Sequence, residues 1–315
     1  MAEAARRPHR RVLTLPVDAL DRALGALYGL ALGDALGMPV QETSPARASQ
    51  ILGSPPDFRD PPPDSIAHGL PAGSITDDTM QAVIIGRLLV DGGGHVDARA
   101  LADALLAWER EMRQAGHADL LGPSTKRALA AIEAGADPLT TGRQGTTNGA
   151  AMRVTPVGIA TPPARLRDAV VEAGRVTHDT PIAHAGACVV AAMVSCGVEG
   201  VAFDDAARTA VELARSFGFG EIFEQPVMRT GVETAESVPA AFALALKHRD
   251  DAWAACVEAA SMGGDADTIA ALAGTMVGAH AGAGALPEHA VRIVREVNGL
   301  DFEPLARDLL SLRAL

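Results

Sequence analysis

Apolar positions along this chain recur with a helical period, and glycine and proline mark the places where the period breaks. Residues 19–37 (ALDRALGALYGLALGDALG) are apolar nearly all round and carry glycines at 25, 29, 33 and 37. The segment 269–286 repeats the device with Gly274, Gly278 and Gly282. A glycine inside a helix costs about 0.5–1 kcal/mol relative to alanine, so a row of them needs a packing reason. An i, i+4 row lies on one helix face and lets another backbone approach closely. These two helices are expected near the centre of the fold, in contact with each other. Further helices are predicted near 79–90, 97–115, 123–134, 165–175, 182–197, 204–216, 234–247 and 251–261. Breakers separate them at 91–95 (DGGGH), 134–138 (AGADP), 160–163 (ATPP) and 216–221 (SFGFGE). No alternating run reads as a strand. The expected architecture is one compact, multi-helix, all-α domain over 18–315, preceded by a flexible tail over 1–17.

Two long loops interrupt the helical pattern. Residues 53–74 contain six prolines, and residues 140–150 (TTGRQGTTNGA) are rich in Gly, Thr and Asn. Loops of this length inside a compact domain are more often functional than idle, and 53–74 is expected to form a mobile lid or rim.

Composition narrows the classes. Hydrophobic residues make up 48% of the chain but aromatics only 3%, so the core must reach its density through small side chains and close helix approach. The formal charge is −12, with 39 acidic against 27 basic residues, which argues against a surface that coats nucleic-acid phosphates. Cys188, Cys196 and Cys256 are odd in number and lack CxxC spacing, so they read as reduced packing residues of a cytoplasmic protein. The arginine-rich start has no following apolar region of the kind an export signal needs. Segments 182–198 and 269–286 are long and apolar, yet Ala/Gly-rich and without basic flanks or aromatic belts, so buried helices and no membrane association are expected.

Against this background one stretch stands out. Thr76-Asp77-Asp78-Thr79 precedes an apolar run. A helix cap needs one of these side chains, for which Asp78 with Gln81 three residues on would serve as a capping box; an adjacent second carboxylate adds repulsion. The pattern then recurs at 263–271 (GGDADTIAA), where Asp265, Asp267 and Thr268 again precede an apolar run. Four carboxylates brought together from two helix starts require cations. Carboxylate and hydroxyl oxygens without Cys or obligate His specify Mg²⁺, Ca²⁺ or Mn²⁺, and four carboxylates suit two ions roughly 3.5–4 Å apart.

The set GLALGDALGMP (29–39), TDDT (76–79), GTTNGAAMRVTPVG (145–158), VTHDTPIA (176–183) and GGDADTIAALAG (263–274) resembles the ADP-ribosylglycohydrolase family, in order and over most of the chain. The resemblance implies an all-α fold with a centre of two Mg²⁺ or Mn²⁺ ions held by Thr76, Asp77, Asp78, Asp265, Asp267 and Thr268. It implies hydrolysis of the glycosidic bond between ADP-ribose and its acceptor, with Asp78 and Asp267 at the reacting centre and a water attacking through an oxocarbenium-like state. Asn148, Gly149, Ala151 and Met152 match a stretch expected to contact ribose and diphosphate, partly through backbone N–H groups. His178 falls where the family places a histidine near the ribose, whereas His184 reads as packing. Asp34, on the glycine-striped helix, is expected to hold a ligand or a metal-bound water from behind.

The chain also departs from the family pattern. Gln41 occupies a position where many members have Glu, with Glu42 one residue beyond. Gln41 is then a substrate contact, and the base is either Glu42 or Asp119, the acidic residue of DLLGPSTKRAL. Besides removal of ADP-ribose from a protein side chain or small acceptor, two readings stay open: hydrolysis of small ribosides such as nucleosides, and a non-catalytic binding or structural role.

Overall fold

Local chemistry sets several helix starts. Ser44, Asp97, Thr180 and Asp251 each accept the backbone N–H three residues on, and Pro45 and Pro181 occupy first-turn positions where a missing N–H costs nothing. In this computed structural model, residues 19–116 and 121–314 are described, and among them the chain forms sixteen α-helices and no β-strand. The first half holds α1 (Ala19–Gly37), α2 (Pro45–Leu52), α3 (Asp77–Asp91), α4 (Ala98–Gln114), α5 (Pro123–Glu133), α6 (Gly149–Met152) and α7 (Thr155–Ala160). The second holds α8 (Leu166–Gly174), α9 (Pro181–Val198), α10 (Phe203–Arg215), α11 (Glu221–Glu224), α12 (Thr234–Lys247), α13 (Ala252–Ala260), α14 (Ala266–Ala281), α15 (Glu288–Asn298) and α16 (Glu303–Leu312). The only extended pairing among the described residues is an isolated antiparallel bridge between Thr147 and Glu233.

The helices expected from periodicity are present to within about two residues, except that the one expected over 269–286 runs from Ala266 to Ala281 and stops before Gly282, whose φ of +83° ends it. Not foreseen were α2, α15, α16 and the short turns α6, α7 and α11. The expected tail at 1–17 lies outside the described residues.

Helices α1 and α14 run antiparallel through the middle, and the glycine rows meet. A Cβ on Gly25 would fall 2.2 Å from the Gly278 carbonyl oxygen, on Gly29 2.3 Å from that of Gly274, and on Gly33 2.1 Å from that of Ala270. Only hydrogen fits at these points. Packed around the pair are α9, α12 and α13, built largely from alanine and valine, with all three cysteines buried and unpaired. Helix α9 and the span 19–40 are long and apolar enough to cross a membrane by length and composition, and both are mostly enclosed by the protein's own helices.

The proline-rich segment 53–74 forms successive turns with Phe58 and Ala67 buried. Its end is tied down: the Asn298 side chain of α15 donates to the Gly73 carbonyl and accepts the Ile75 N–H. That anchorage delivers the chain into α3 in a fixed position.

Candidate metal and substrate site

The register of α1 against α14 brings the two Asp/Thr blocks to one end of the molecule. The last glycine of the α1 row, Gly37, faces the second block directly: a Cβ there would lie 2.4 Å from Asp267 Cα. Three residues earlier on α1, Asp34 is fully buried and accepts four hydrogen bonds from the first block. These come from the Thr76 N–H and hydroxyl (3.0 and 2.8 Å) and from the Thr79 N–H and hydroxyl (3.1 and 2.6 Å). Asp34 therefore pins the start of α3 to α1, as a residue acting from behind the site would.

Pinning of this kind assigns work to each polar residue of the first block. The two threonines grip Asp34. Thr76, not Asp78, is the N-cap residue of α3, and its side chain does not cap because its hydroxyl goes to Asp34; the capping-box expectation fails because α3 already begins at Asp77, which puts Asp78 inside the first turn. Gln81, instead of reaching back to the cap, donates to Asp77 Oδ2 at 3.0 Å. Asp78 is left with Oδ1 buried and without a hydrogen-bond partner.

Around the second block, glycines permit close approach. Gly263 and Gly264 have φ of +65° and +66°, and a Cβ on either would run into the Thr43 or Thr230 carbonyl oxygen. Those approaches form hydrogen bonds: Glu42 N–H to Gly264 O (2.6 Å), Gly264 N–H to Thr43 O (2.9 Å) and Asp265 N–H to Thr230 O (2.7 Å). The left-handed backbone falls on Glu42 too, at φ +60°, a conformation that a residue carrying a Cβ adopts at a cost. It sets the Glu42 side chain at the cavity rim.

A cavity of about 430 Å³ opens between the blocks, and Asp77, Asp78, Asp265, Asp267 and Thr268 line it together with Gln41, Glu42, Asn148, Gly149 and Met152. Burial and mutual repulsion push the carboxyls upward. Desolvation acts first on Asp77, Asp78 and Asp267, and then the neighbouring Asp charges, holding all three well above the ordinary carboxylate range. Asp265 is raised to about 6 by burial, against which hydrogen bonds from Asn148 and Thr268 work. Among the described residues no three His, Cys, Asp or Glu side chains close a ready cage around one ion. The donor set nevertheless fits hard divalent cations: clustered carboxyls, threonine hydroxyls, and a buried Asp78 Oδ1 with no hydrogen-bond partner among the described residues.

Three expected substrate contacts are placed differently from the expectation. His178 is fully buried and does not line the cavity; its ring lies behind Gly149, whose Cβ, if present, would sit 2.5 Å from His178 Cε1. Ala151 is likewise fully buried behind the wall. Asn148 does line the cavity, but its Nδ2 donates to Asp265 Oδ2 (2.5 Å) and Ser237 Oγ (2.8 Å), so it orients an acidic residue. The backbone of this stretch is also largely spent: the N–H groups of Gly145, Asn148, Ala151 and Met152 go to protein carbonyls. The loop's glycines serve packing, with Gly142 and Gly145 pressed on the carbonyls of Arg175 and Thr177. His184 packs as expected, with Nε2 on Asp179 and its ring near Phe217. Asp119 lies outside the described residues. Of the proline-rich segment only Ile66 reaches the cavity, whereas Thr230, Gly231, Val232 and Lys126 line it without having been singled out. The 230–232 turn carries no charge pattern, and only its backbone bonds to Asn148 and Asp265 mark it.

Comparison with known proteins bears on the family and the fold. The family model described as ADP-ribosylglycohydrolase matches residues 15–315. A protein of Escherichia coli designated YegU is 32% identical, over 93% of this chain and 97% of its own. An ADP-ribosyl-(dinitrogen reductase) glycohydrolase of Rhodospirillum rubrum is 31% identical, over 85% and 88%. An ADP-ribosylarginine hydrolase of Pseudomonas putida is 29% identical, over 91% and 78%. Among solved structures, an ADP-ribosylglycohydrolase-related protein complex superposes with a TM-score of 0.77 at 28% identity, covering 94% of this chain and 99% of that one. With the motifs, the all-α fold and these matches in agreement, the chain belongs to the ADP-ribosylglycohydrolase family.

Proposed function

We propose that this protein is a hydrolase that uses two divalent cations, Mg²⁺ or Mn²⁺, to cleave the glycosidic bond between ADP-ribose and an acceptor. The observation that carries the reading is the convergence of both Asp/Thr blocks on one cavity, with a buried carboxylate oxygen that no protein donor serves. Two relatives are named for hydrolysis of ADP-ribosylated dinitrogen reductase and ADP-ribosylarginine, which supports a protein or guanidine-linked acceptor.

Asp77, Asp78, Asp265 and Asp267, with the hydroxyls of Thr76 and Thr268, would hold the ions. Such ions supply Lewis acidity toward sugar hydroxyls and a lowered pKa for water. The chain's own residues do the rest. Asp34, Gln81 and Asn148 fix the orientation of Thr76, Asp77 and Asp265 through the hydrogen bonds described above. Glu42, set at the rim by its left-handed backbone, is the carboxylate placed to take a proton from an attacking water, while Gln41 beside it offers an amide to the substrate. Met152, Ile66 and Val232 give the cavity apolar walls.

A second reading, hydrolysis of small ribosides such as nucleosides, draws on one observation. Among the described residues lining the cavity, Lys126 is the one Lys or Arg, which is little positive charge for a diphosphate. A hydrolysis panel with Mg²⁺ or Mn²⁺ separates the two: ADP-ribosyl-arginine, ADP-ribosyl-serine, O-acetyl-ADP-ribose and free nucleosides. Turnover of the first three only supports the proposal, turnover of nucleosides only supports the second reading, and inactivity throughout with ions bound leaves a binding protein.

A further inference from the structure

Arg153 is among the largest fully buried side chains of the protein; it does not line the cavity, and its hydrogen bonds among the described residues go to Gln81 and Thr177. A guanidinium donates hydrogen bonds and never accepts them. Its direction therefore propagates. One terminal N–H donates to Gln81 Oε1 at 3.0 Å, which obliges the Gln81 NH₂ to point the other way, to Asp77 Oδ2. The second terminal N–H donates to the Thr177 hydroxyl oxygen at 2.5 Å. Thr177 is buried, and its hydroxyl has one further recorded partner, His178 Nδ1 at 2.7 Å.

If Nδ1 carried the imidazole proton, the Thr177 hydroxyl proton would have no acceptor in a buried site, which costs about 1–3 kcal/mol. The assignment without an orphan has the Thr177 O–H donating to a bare Nδ1. A neutral His178 then carries its proton on Nε2 and donates it to the Thr147 hydroxyl at 3.0 Å. Thr147 lines the cavity, and among the described residues its hydroxyl has no other recorded partner. Its own proton is thus left for an acceptor in the cavity.

We propose that Arg153 is a positioning residue from which two hydrogen-bond chains of fixed polarity run to the site. One passes through Gln81 to Asp77. The other passes through Thr177 and His178 and presents the Thr147 hydroxyl as a donor to a ribose or phosphate oxygen of the bound substrate. The identity of that oxygen rests on the function proposed above; the polarity of the chain does not. His178 on this account matters to the substrate without touching it. Gly149 is needed because its bare Cα lets the imidazole lie against the loop.

Nitrogen-15 NMR of the intact protein reads the tautomer directly. The expected result at pH 7 is a neutral His178 protonated on Nε2. In Thr177→Val, which keeps Arg153 and the shape of the site, the signal is expected to shift toward the Nδ1-protonated or mixed form. A wild-type His178 protonated on Nδ1, or a Thr177→Val variant with an unchanged tautomer, overturns the relay whether or not the protein hydrolyses anything. ADP-ribose titration tests its cavity end. Thr147→Ser is expected to keep Kd within about 2-fold and Thr147→Val to raise it about 10-fold, the size of one lost hydrogen bond; equal Kd for the two variants, with ADP-ribose bound by both, refutes donation by Thr147. No ADP-ribose binding by the wild type would count against the proposed function and leave the tautomer result to decide the relay.

Discussion

Gly29 and Gly274 lie backbone against backbone, each denying the other a side chain: a Cβ on Gly29 would sit 2.3 Å from the Gly274 carbonyl oxygen, and one on Gly274 2.2 Å from that of Gly29. Because the obstruction is main chain, no rotamer change relieves it. Gly29→Ala or Gly274→Ala is expected to destabilise by about 3 kcal/mol or more, the upper end of overpacking costs. Gly284→Ala, where the nearest atom is 3.8 Å away, should stay within about 0.5 kcal/mol. Chemical denaturation of the three variants checks the contrast, and equal midpoints would remove the case for helix contact through glycine.

Asp34 offers a second test, since its carboxylate accepts from both threonines of the first block. In Asp34→Asn an amide NH₂ must face the N–H and O–H groups of Thr76 and Thr79. Divalent-ion affinity is expected to fall about 10–100-fold, the usual cost of removing a residue that orients a metal ligand. Calorimetric titration with Mn²⁺ provides the measurement; unaltered affinity in a folded variant would show that Asp34 only builds the fold.

Raised carboxyls make the ion-free protein sensitive to pH in an unusual sense. Asp265 ionises at about 6 when folded, against an ordinary 3.8. Between those values the folded chain keeps a proton that the unfolded chain has released, so stability falls as pH rises through that window. Asp77, Asp78 and Asp267 are displaced in the same direction and carry the fall to higher pH. In chelator, Tm is expected to be higher at pH 5 than at pH 7.5, and millimolar Mg²⁺ or Mn²⁺ should reverse the order by binding the ionised form. A chelated protein whose Tm climbs between pH 5 and 7.5 contradicts this electrostatic picture.

Strain and chemistry can be separated at Glu42. Its φ of +60° suits glycine, so Glu42→Gly should hold or raise stability by up to about 1 kcal/mol, while Glu42→Gln leaves the backbone cost in place. Both are expected to lose at least about 10²-fold in kcat if the carboxylate takes the proton. Full activity in Glu42→Gln would transfer the base role elsewhere.

Much of the architecture is readable in the residues because the interactions that set it are periodic. Four glycines spaced by four can only describe a helix face, and their partners at 274 and 278 carry the same spacing. Two Asp/Thr blocks at helix starts likewise announce their convergence. What stays hidden is aperiodic. The 230–232 turn reaches the cavity through backbone hydrogen bonds that any residue types could make. The tautomer of His178 depends on an arginine 25 positions away in sequence whose burial nothing local reveals. The capping role of Asp78 is a fair inference from spacing alone and fails because α3 starts one residue earlier, at Asp77, where Asp34 holds the flanking threonines.

The contact between α1 and α14 is made on the bare backbone of the α1 glycines, and it carries Asp34 and Asp267 at one end. The spacing between them is consequently gauged by the thickness of the polypeptide backbone itself. Substitution can redesign the alanines and valines around this pair over long divergence, as identities near 30% with relatives illustrate. It has no means of altering the gauge, because there is nothing smaller than glycine to put there.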